Sequence, residues 1–334
     1  MLKKGRIAAL LILSVLLIIS TGCSKQQNEK TSSQPEKITM RIAIATDEGG
    51  LGHQQVKIFK KKIEEKLPGL FEIKIFAGSK LGTGTENVQS LMSGDLEASL
   101  LGSEGISVDT KLGIFEIPWM FNGFDEFEEV TSGPLFGEIQ KTFEEHNLKL
   151  VAIYGSGFRD ILAKKPINNL LELEGLKTRV APSPERLKVY KLLNAVPVTV
   201  QWADTYLALE QGTVEAVEAY PVYLKSGKMY EQAKYLADIN YISAPFFMTF
   251  SNKFWNSLEP DVQKKVIQAG KESIEEANQL AREIEDQDLE YMKNQGVEVI
   301  STDLKGYKEL RLKVSENYMN ENGKDWLKLT GVIE

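Results

Sequence analysis

Residues 155–221 read GSGFRDILAKKPINNLLELEGLKTRVAPSPERLKVYKLLNAVPVTVQWADTYLALEQGTVEAVEAYP. Within them Leu176 to Ala181 alternates as a short strand that carries Arg179, and the Pro-Ser-Pro sequence that follows predicts the end of the strand and the start of an amphipathic helix. Open α/β sheets bind ligands beyond the carboxyl ends of their strands. Arg179 is therefore a candidate binding residue.

A second arginine, Arg159, lies in another strand-like run after a Gly-Ser-Gly turn. Neither arginine has an obvious acidic partner at helical spacing, so we expect both guanidiniums to be free to meet an anion. The guanidinium fork matches a carboxylate with two parallel hydrogen bonds, which lysine cannot copy. The alternatives are a surface or interdomain ion pair for Arg179 and a local solvated charge pair with Asp160 for Arg159.

Several short motifs occur along the chain. They are GSKLG (78–82), LMSGDLEAS (91–99), FEIPWMF (115–121), EGLKTRV, LLNAVPV and ADTYLALEQGTVEAVE followed by a proline. In kind and order they resemble the motifs of one protein family, the extracytoplasmic (DctP-type) solute receptors of tripartite ATP-independent periplasmic (TRAP) transporters, and the resemblance covers roughly residues 38 to 330. The resemblance implies a protein that captures a ligand without catalysis.

The resemblance also implies roles for individual residues. Arg179 would bind the substrate carboxylate and Arg159 would assist it. Trp202 and Tyr220 would offer aromatic walls to the carbon skeleton, although Trp202 is equally interpretable as a core residue that caps the following helix. The segment EAVEAYP is one residue longer than the common family spacing, and Ala219 replaces a polar residue there. The expected ligand is a small carboxylate with an apolar or hydroxylated remainder, such as a C4-dicarboxylate or a sugar acid.

The amino-terminal half alternates strand and helix patterns. This alternation predicts an α/β fold with a largely parallel sheet. The strands are expected at 38–46, 71–76 and 96–102, with a helix at 86–92. Glu104 follows the third strand, where it is either a contact for a ligand hydroxyl or amine or an exposed loop carboxylate.

We expect two domains joined near Gly155 and Tyr241, because 334 residues exceed what a single core normally serves. Domain I comprises 38–156 plus 247–285, and domain II comprises 157–246 plus 286–334. One amphipathic helix is expected at 124–145 and another, much longer, at 260–295. The resemblance implies a two-lobed periplasmic-binding-protein-like fold with a cleft between the domains, bridged by that long helix.

The first residues read as a targeting segment. Lys3, Lys4 and Arg6 precede a short apolar run, so we expect residues 1–22 to be a signal peptide. Ser20-Thr21-Gly22-Cys23 resembles a bacterial lipobox, in which Cys23 is lipidated, although an ordinary secretory signal remains the alternative. Residues 23–37 are then a lipid-anchored flexible linker, because 24–37 contain no aliphatic or aromatic residue.

Composition excludes other classes of function. A net charge of −7 argues against nucleic acid as a partner. The two histidines, His53 and His146, have no metal-ligand spacing, and no catalytic motif or cofactor-binding motif is present. We therefore expect no enzyme activity, metal or cofactor, but a monomeric, extracytoplasmic, membrane-anchored receptor that serves a TRAP permease. A binding lipoprotein of an ATP-driven importer or sensor, and a secreted two-lobed enzyme, are the alternatives.

Overall fold

The structure is a computed structural model that describes residues 37–181 and 183–333. Eleven strands in the described ranges form two sheets. The strands are β1 (Ile38–Ile44), β2 (Phe71–Phe76), β3 (Ala98–Leu101), β4 (Leu148–Gly155), β5 (Asp160–Ala163), β6 (Lys177–Val180), β7 (Val196–Thr199), β8 (Ala216–Ala219), β9 (Tyr235–Asp238), β10 (Pro245–Ser251) and β11 (Glu298–Ser301).

Helices connect and cover these strands. The α-helices are α1 (Leu51–Lys66), α2 (Gly84–Ser93), α3 (Phe124–Ser132), α4 (Pro134–Glu145), α5 (Pro184–Leu192), α6 (Trp202–Glu210), α7 (Pro221–Ser226), α8 (Asn252–Ser257), α9 (Pro260–Asn294), α10 (Tyr307–Asn322) and α11 (Asp325–Leu329). Short 3-10 helices span Ser103–Val108, Thr110–Glu116, Leu170–Leu173 and Met229–Glu231.

The first sheet has the strand order β2-β1-β3-β10-β4. Strand β1 pairs in parallel with β2 and β3, as the strand and helix alternation predicts. The expectation of a largely parallel sheet is wrong beyond β3, because β10 runs antiparallel to both β3 and β4. Strand β10 enters the sheet from a later part of the chain and fills the place between two strands that lie far apart in sequence.

The second sheet has the order β11-β9-β5-β8-β6-β7. Strands β6, β7 and β8 are parallel, whereas β5 is antiparallel to its neighbours β8 and β9. The fold is thus mixed α/β with two sheets, as expected. The chain passes from the first sheet to the second after β4 and returns before β10. Where the domain boundaries fall stays a prediction.

Helix α9 is a single helix of 35 residues, about 50 Å long at 1.5 Å per residue. The part of the helix up to Asn278 contacts the first sheet: Asn278 accepts a hydrogen bond from the Gly155 amide (2.7 Å), and the Ser273 and Tyr154 hydroxyls share a hydrogen bond. Its second half contacts the second sheet region, where Asp288 pairs with Lys225. The helix therefore joins the parts of the molecule built on the two sheets.

The predicted single helix at 124–145 is wrong. The structure has two helices, α3 and α4, with Gly133 between them in an extended conformation (φ −83°, ψ −155°). Pro134 is the reason, since proline lacks an amide hydrogen and its ring disfavours a helical conformation in the residue before it. Pro134 then starts α4 at a position where the missing donor does no harm.

Candidate functional site

Strand register brings three polar side chains to one edge of the second sheet. Ile161 lies opposite Glu218, and Arg179 lies opposite Val217. Because β6 and β8 are parallel and β5 is antiparallel to β8, the amino end of β5 meets the carboxyl ends of β6 and β8. Arg159 lies just before β5, so Arg159, Arg179 and Glu218 occupy the same edge, where α/β sheets usually bind ligands.

Arg159 has a partner that sequence reasoning missed. Its Nε donates to Glu218 Oε2 in a buried ion pair, and its Nη2 donates to the Glu218 carbonyl oxygen at 3.1 Å. Burial alone would lower the pKa of Arg159, but the charge of Glu218 outweighs it and raises that pKa well above its ordinary value. The expectation that Arg159 is free to meet an anion is therefore wrong, because pairing β5 with β8 supplies a carboxylate 59 residues away.

Glu218 is the centre of this polar cluster. Its Oε2 also accepts a hydrogen bond from the Tyr241 hydroxyl (2.8 Å), and its Oε1 accepts one from the Ala181 amide (2.9 Å). Burial opposes ionisation, but the charges of Arg159 and Arg186, with the hydrogen bonds from Arg159 and the Ala181 amide, lower the pKa of Glu218 to about 2. The residue is fully buried and ionised at neutral pH.

Arg179 is also buried, but unlike Arg159 it has no salt-bridge partner among the described residues. Its side chain is 3% exposed, its Nε donates to the Val200 carbonyl at 3.0 Å, and its guanidinium lies 5.3 Å from the centre of the Trp202 ring. No carboxylate of the described residues forms a salt bridge with it. Burial, together with the nearby charges of Arg159 and Arg186, lowers its pKa to about 10 despite the attraction of Glu218. Arg179 therefore lies in an environment that disfavours its charge.

A second buried ion pair was also not predicted. Arg186, in the first turns of α5, donates from Nη2 to Glu116 Oε1 at 2.8 Å, and both side chains are about 95% buried. Burial alone would lower the pKa of Arg186, but the charge of Glu116 raises it above the ordinary value. Glu116 ends a 3-10 helix that follows the first sheet's strands, so this pair connects the two sheet regions.

A cavity of about 120 Å³ lies between the two sheet regions. It brings together three of the predicted residues, Arg159, Tyr220 and Glu104, whereas Arg179 and Trp202 are not among its lining residues. The other lining residues are Ile44, Ala45, Thr46, Leu100, Gly102, Ser103, Ser156, Tyr223, Ala244, Pro245 and Phe246. The cavity thus has one wall from each sheet region.

Aromatic rings connect the remaining predicted residues to this cavity. The Arg159 guanidinium lies 4.7 Å from the centre of the Tyr220 ring, and the Tyr220 hydroxyl accepts a hydrogen bond from the Ala244 amide at 3.1 Å. Tyr223 packs edge to face on Tyr220 and on Trp202, with ring centres 5.8 and 5.9 Å apart. Trp202 is therefore one ring away from the cavity wall.

Glu104 is held in the wall that faces these rings. It lies in the first turn of the 3-10 helix Ser103–Val108, and its Oε1 accepts a hydrogen bond from the Gly102 amide at 2.9 Å. It packs so closely on α2 that a Cβ at Gly84 would come within 2.7 Å of its Cγ. The alternative of an exposed loop carboxylate is wrong, because Glu104 is only partly exposed and lines the cavity.

The described part of the chain contains neither a metal-binding cluster nor a membrane-spanning helix. Among residues 37–181 and 183–333, no group of three or more His, Cys, Asp or Glu side chains is arranged to hold a metal ion. Over the same ranges, no helix has the combination of length and apolar character needed to cross a bilayer. Cys23 and the predicted signal peptide lie outside the described residues.

Comparison with known proteins identifies the family. The family model for bacterial extracellular solute-binding protein family 7 (DctP) matches residues 42–322. The 2,3-diketo-L-gulonate-binding periplasmic protein of Escherichia coli K12 is 24% identical over 268 residues, which cover 80% of this chain and 81% of the relative. The C4-dicarboxylate-binding periplasmic protein of Rhodobacter capsulatus is 25% identical over 240 residues, covering 71% and 72%.

Solved structures agree with the sequence comparison. A TRAP periplasmic solute-binding protein from Ochrobactrum anthropi, with a C-terminus bound in the ligand-binding pocket, superposes with a TM-score of 0.84 at 25% identity. The superposition covers 88% of this chain and 94% of that protein. The chain therefore belongs to the DctP family, family 7 of the bacterial extracellular solute-binding proteins, and is an extracytoplasmic solute receptor of the TRAP type.

Proposed function

We propose that this receptor captures a small organic acid, whose carboxylate is bound by Arg179 with assistance from Arg159, and delivers it to a TRAP permease. The observation that carries the proposal is the buried Arg179 guanidinium, which has no carboxylate partner in the described part of the chain and a pKa lowered to about 10. A desolvated charge without a partner is unfavourable. A ligand carboxylate would supply the missing charge.

The charge balance of the buried cluster supports the same proposal. Five charged side chains at this site are buried and interact electrostatically: Arg159, Arg179, Arg186, Glu116 and Glu218. Three positive and two negative charges leave one positive charge uncompensated. Because the two glutamates form salt bridges with Arg159 and Arg186, the uncompensated charge is that of Arg179. One bound carboxylate would make the cluster neutral.

The position of Arg179 sets a condition on binding. Arg159 lines the cavity, and its charge contributes to the lowered pKa of Arg179, so the two guanidiniums are near neighbours. A single carboxylate at the Arg159 end of the cavity would meet Arg179 once the latter turns toward it. That turn would give up the Nε contact to the Val200 carbonyl and the contact of the guanidinium with the Trp202 ring.

The relatives bind molecules of the proposed kind. The names of the two relatives compared above specify 2,3-diketo-L-gulonate and C4-dicarboxylates, which all carry a carboxylate. We propose that Tyr220 and Trp202 pack against the carbon skeleton of the ligand and that Glu104 accepts a hydrogen bond from its far end. We also propose that the protein performs no catalysis and releases its ligand unchanged.

Calorimetric titration with a panel of organic acids tests the proposal. Replacing Arg179 by lysine keeps the charge but removes the two parallel hydrogen bonds, so Arg179→Lys should weaken binding of the best acid roughly ten- to a hundredfold. Lys188→Arg, on an exposed face of α5, serves as a control that exchanges the same residue types outside the cavity. Undiminished affinity in Arg179→Lys, with a wild-type melting temperature, would show that the carboxylate binds elsewhere.

The domain division belongs to the same proposal. We propose that 38–156 plus 247–285 form one domain and 157–246 plus 286–334 the other, and that a monomer closes around the acid. A ligand that touches both domains favours the closed state only through its higher affinity for that state. Small-angle scattering should show a smaller radius of gyration at saturation, and an unchanged profile would contradict closure.

Membrane attachment is a separate proposal that rests on the sequence alone. We propose that residues 1–22 are removed and that Cys23 carries the lipid anchor, with residues up to 37 as a tether. Cys23→Ser should then move the protein from the membrane fraction to the soluble extracytoplasmic fraction. Mass spectrometry of the wild-type amino terminus provides the check, and an unmodified cysteine would contradict the anchor.

A further inference from the structure

The cavity has opposite charges on its two walls. Among its described lining residues, Arg159 is the single cation and Glu104 the single carboxylate. Arg159 comes from the second sheet region, whereas Glu104 follows β3 of the first. A ligand whose carboxylate lies near Arg159 therefore points its other end toward Glu104.

Glu104 is fixed in place with one oxygen unused. Its Oε1 is occupied by the Gly102 amide at 2.9 Å, and the close packing on Gly84 restricts its rotation. No hydrogen bond to its Oε2 is found in the described ranges. This wall therefore offers one fixed carboxylate oxygen as an acceptor.

A wall of this kind favours a ligand that ends in a hydroxyl group over one that ends in a second carboxylate. A hydroxyl donates a charge-assisted hydrogen bond to a carboxylate, which strengthens binding roughly tenfold or more. A second ligand carboxylate meets a negative charge instead, and like charges at an interface are a strong device for rejecting the wrong partner. No second cation among the described lining residues offsets this repulsion.

The volume of the cavity limits the size of the ligand. A cavity needs about 10–15 Å³ for each water-sized group, so about 120 Å³ accommodates a molecule of roughly ten non-hydrogen atoms. This is the size of a short hydroxylated acid. A ligand much larger would require the walls to move apart.

We propose that Glu104 is a specificity-determining residue that selects a short hydroxylated monocarboxylate and rejects the corresponding dicarboxylate. This inference rests on the proposed function, since it takes the carboxylate end to be bound by the arginines. It goes further by stating which of the acid classes bound by the relatives this chain prefers.

The test uses pairs of acids that differ at one end. Threonate and tartrate have the same skeleton, but a terminal hydroxymethyl group in the first is a carboxylate in the second, and gluconate and glucarate form a longer pair. Titrations should show that wild-type protein binds the monocarboxylate of at least one pair ten times or more tighter than its dicarboxylate. Glu104→Gln should bring the two affinities to within about threefold. Glu48→Gln, at an exposed carboxylate paired with Lys80, should leave the preference unchanged.

The outcomes separate the two proposals. Equal or tighter binding of the dicarboxylates by wild-type protein would overturn the inference while supporting an acid-binding function. A preference that persists in a folded Glu104→Gln protein would also overturn it. Absence of binding to every acid tested would overturn the proposed function and the inference together. Glu104→Asp keeps the negative charge but moves the carboxylate further from the cavity. It should still reject dicarboxylates and should bind the hydroxylated acid more weakly, so it replaces Glu104→Gln if that variant fails to fold.

Discussion

Two arginines at one edge of the second sheet differ in a way that separates structure from function. Arg159 and Arg179 are 6% and 3% exposed, and they contact the aromatic rings of Tyr220 and Trp202. Arg159 has a buried carboxylate partner that raises its pKa, whereas Arg179 has none in the described chain and its pKa is lowered to about 10. Burial therefore does not distinguish them, but pairing does. The paired arginine holds strands together, and the unpaired one is suited to an incoming anion.

The largest expected effect is on stability. Replacing Arg159 by methionine leaves Glu218 buried without its main partner, so Arg159→Met should lower the free energy of unfolding by about 3–5 kcal/mol. Arg179→Met removes a buried charge that has no carboxylate partner, and it should leave the free energy of unfolding unchanged or raise it slightly. Urea denaturation of the two variants side by side measures the difference. Equal losses in both would remove the distinction between the two arginines.

A smaller loss of stability is expected when the pH is lowered, because Glu218 then becomes protonated. The pKa of Glu218 is about 2 in the folded protein and 4.5 in its ordinary environment, so its folded-state pKa is depressed. The stability that it contributes is fully present above about pH 4.5 and is lost as the pH falls toward about 2. A shift of this size corresponds to about 3 kcal/mol. Denaturation at a series of pH values from 6 down to 3 should show wild-type stability falling more steeply than that of Glu218→Gln, and parallel profiles would contradict the assignment.

The sequence predicted the arginines better than it predicted their surroundings. Arg179 was found because strand alternation and the following prolines are local signals, and β6 lies where they indicate. Glu218 was missed because its contact with Arg159 depends on which strands are neighbours, and that pairing is not encoded at any local spacing. A weak signal was present: Glu218 stands in the otherwise apolar run AVEAYP, and a glutamate buried there would need a cation.

The fold shows the same limit. Individual strands such as β1 and β2 follow from their alternation, but the insertion of β10 between β3 and β4 is a long-range choice. The break between α3 and α4 is different, because Gly133-Pro134 was a readable signal that the continuous apolar periodicity obscured. Similarly, the Arg186–Glu116 pair joins residues 70 positions apart, and nothing near either residue predicts it. Local chemistry therefore predicts elements, whereas tertiary pairing decides which charges are compensated.

Glu285 provides the sharpest challenge to this interpretation of Arg179. It lies in α9, where its Oε2 accepts a hydrogen bond from the Phe158 amide at 2.8 Å, and no salt bridge to it occurs in the described ranges. Burial raises its pKa to about 7, with Asp286 and Asp238 adding to the shift. Both residues are thus charges without an opposite partner. They differ in chemistry: the carboxylate of Glu285 becomes neutral by binding a proton near neutral pH, whereas the guanidinium of Arg179 stays charged.

The last prediction follows from that difference. The folded-state pKa of Glu285 is raised above its ordinary value of 4.5, so the ionised carboxylate destabilises the fold. The free energy of unfolding therefore falls as the pH rises from about 4.5 to about 7. Allowing for partial exposure, Glu285→Gln should gain about 1–2 kcal/mol over wild type at pH 8 and almost nothing at pH 5. Glu283→Gln, at an exposed position on the same helix, is the matched control and should show no such difference. If Glu285→Gln gains the same free energy of unfolding at both pH values, the charge of Glu285 is not the cause of the gain. An unpaired buried charge would then also be a weaker indication that Arg179 binds a ligand.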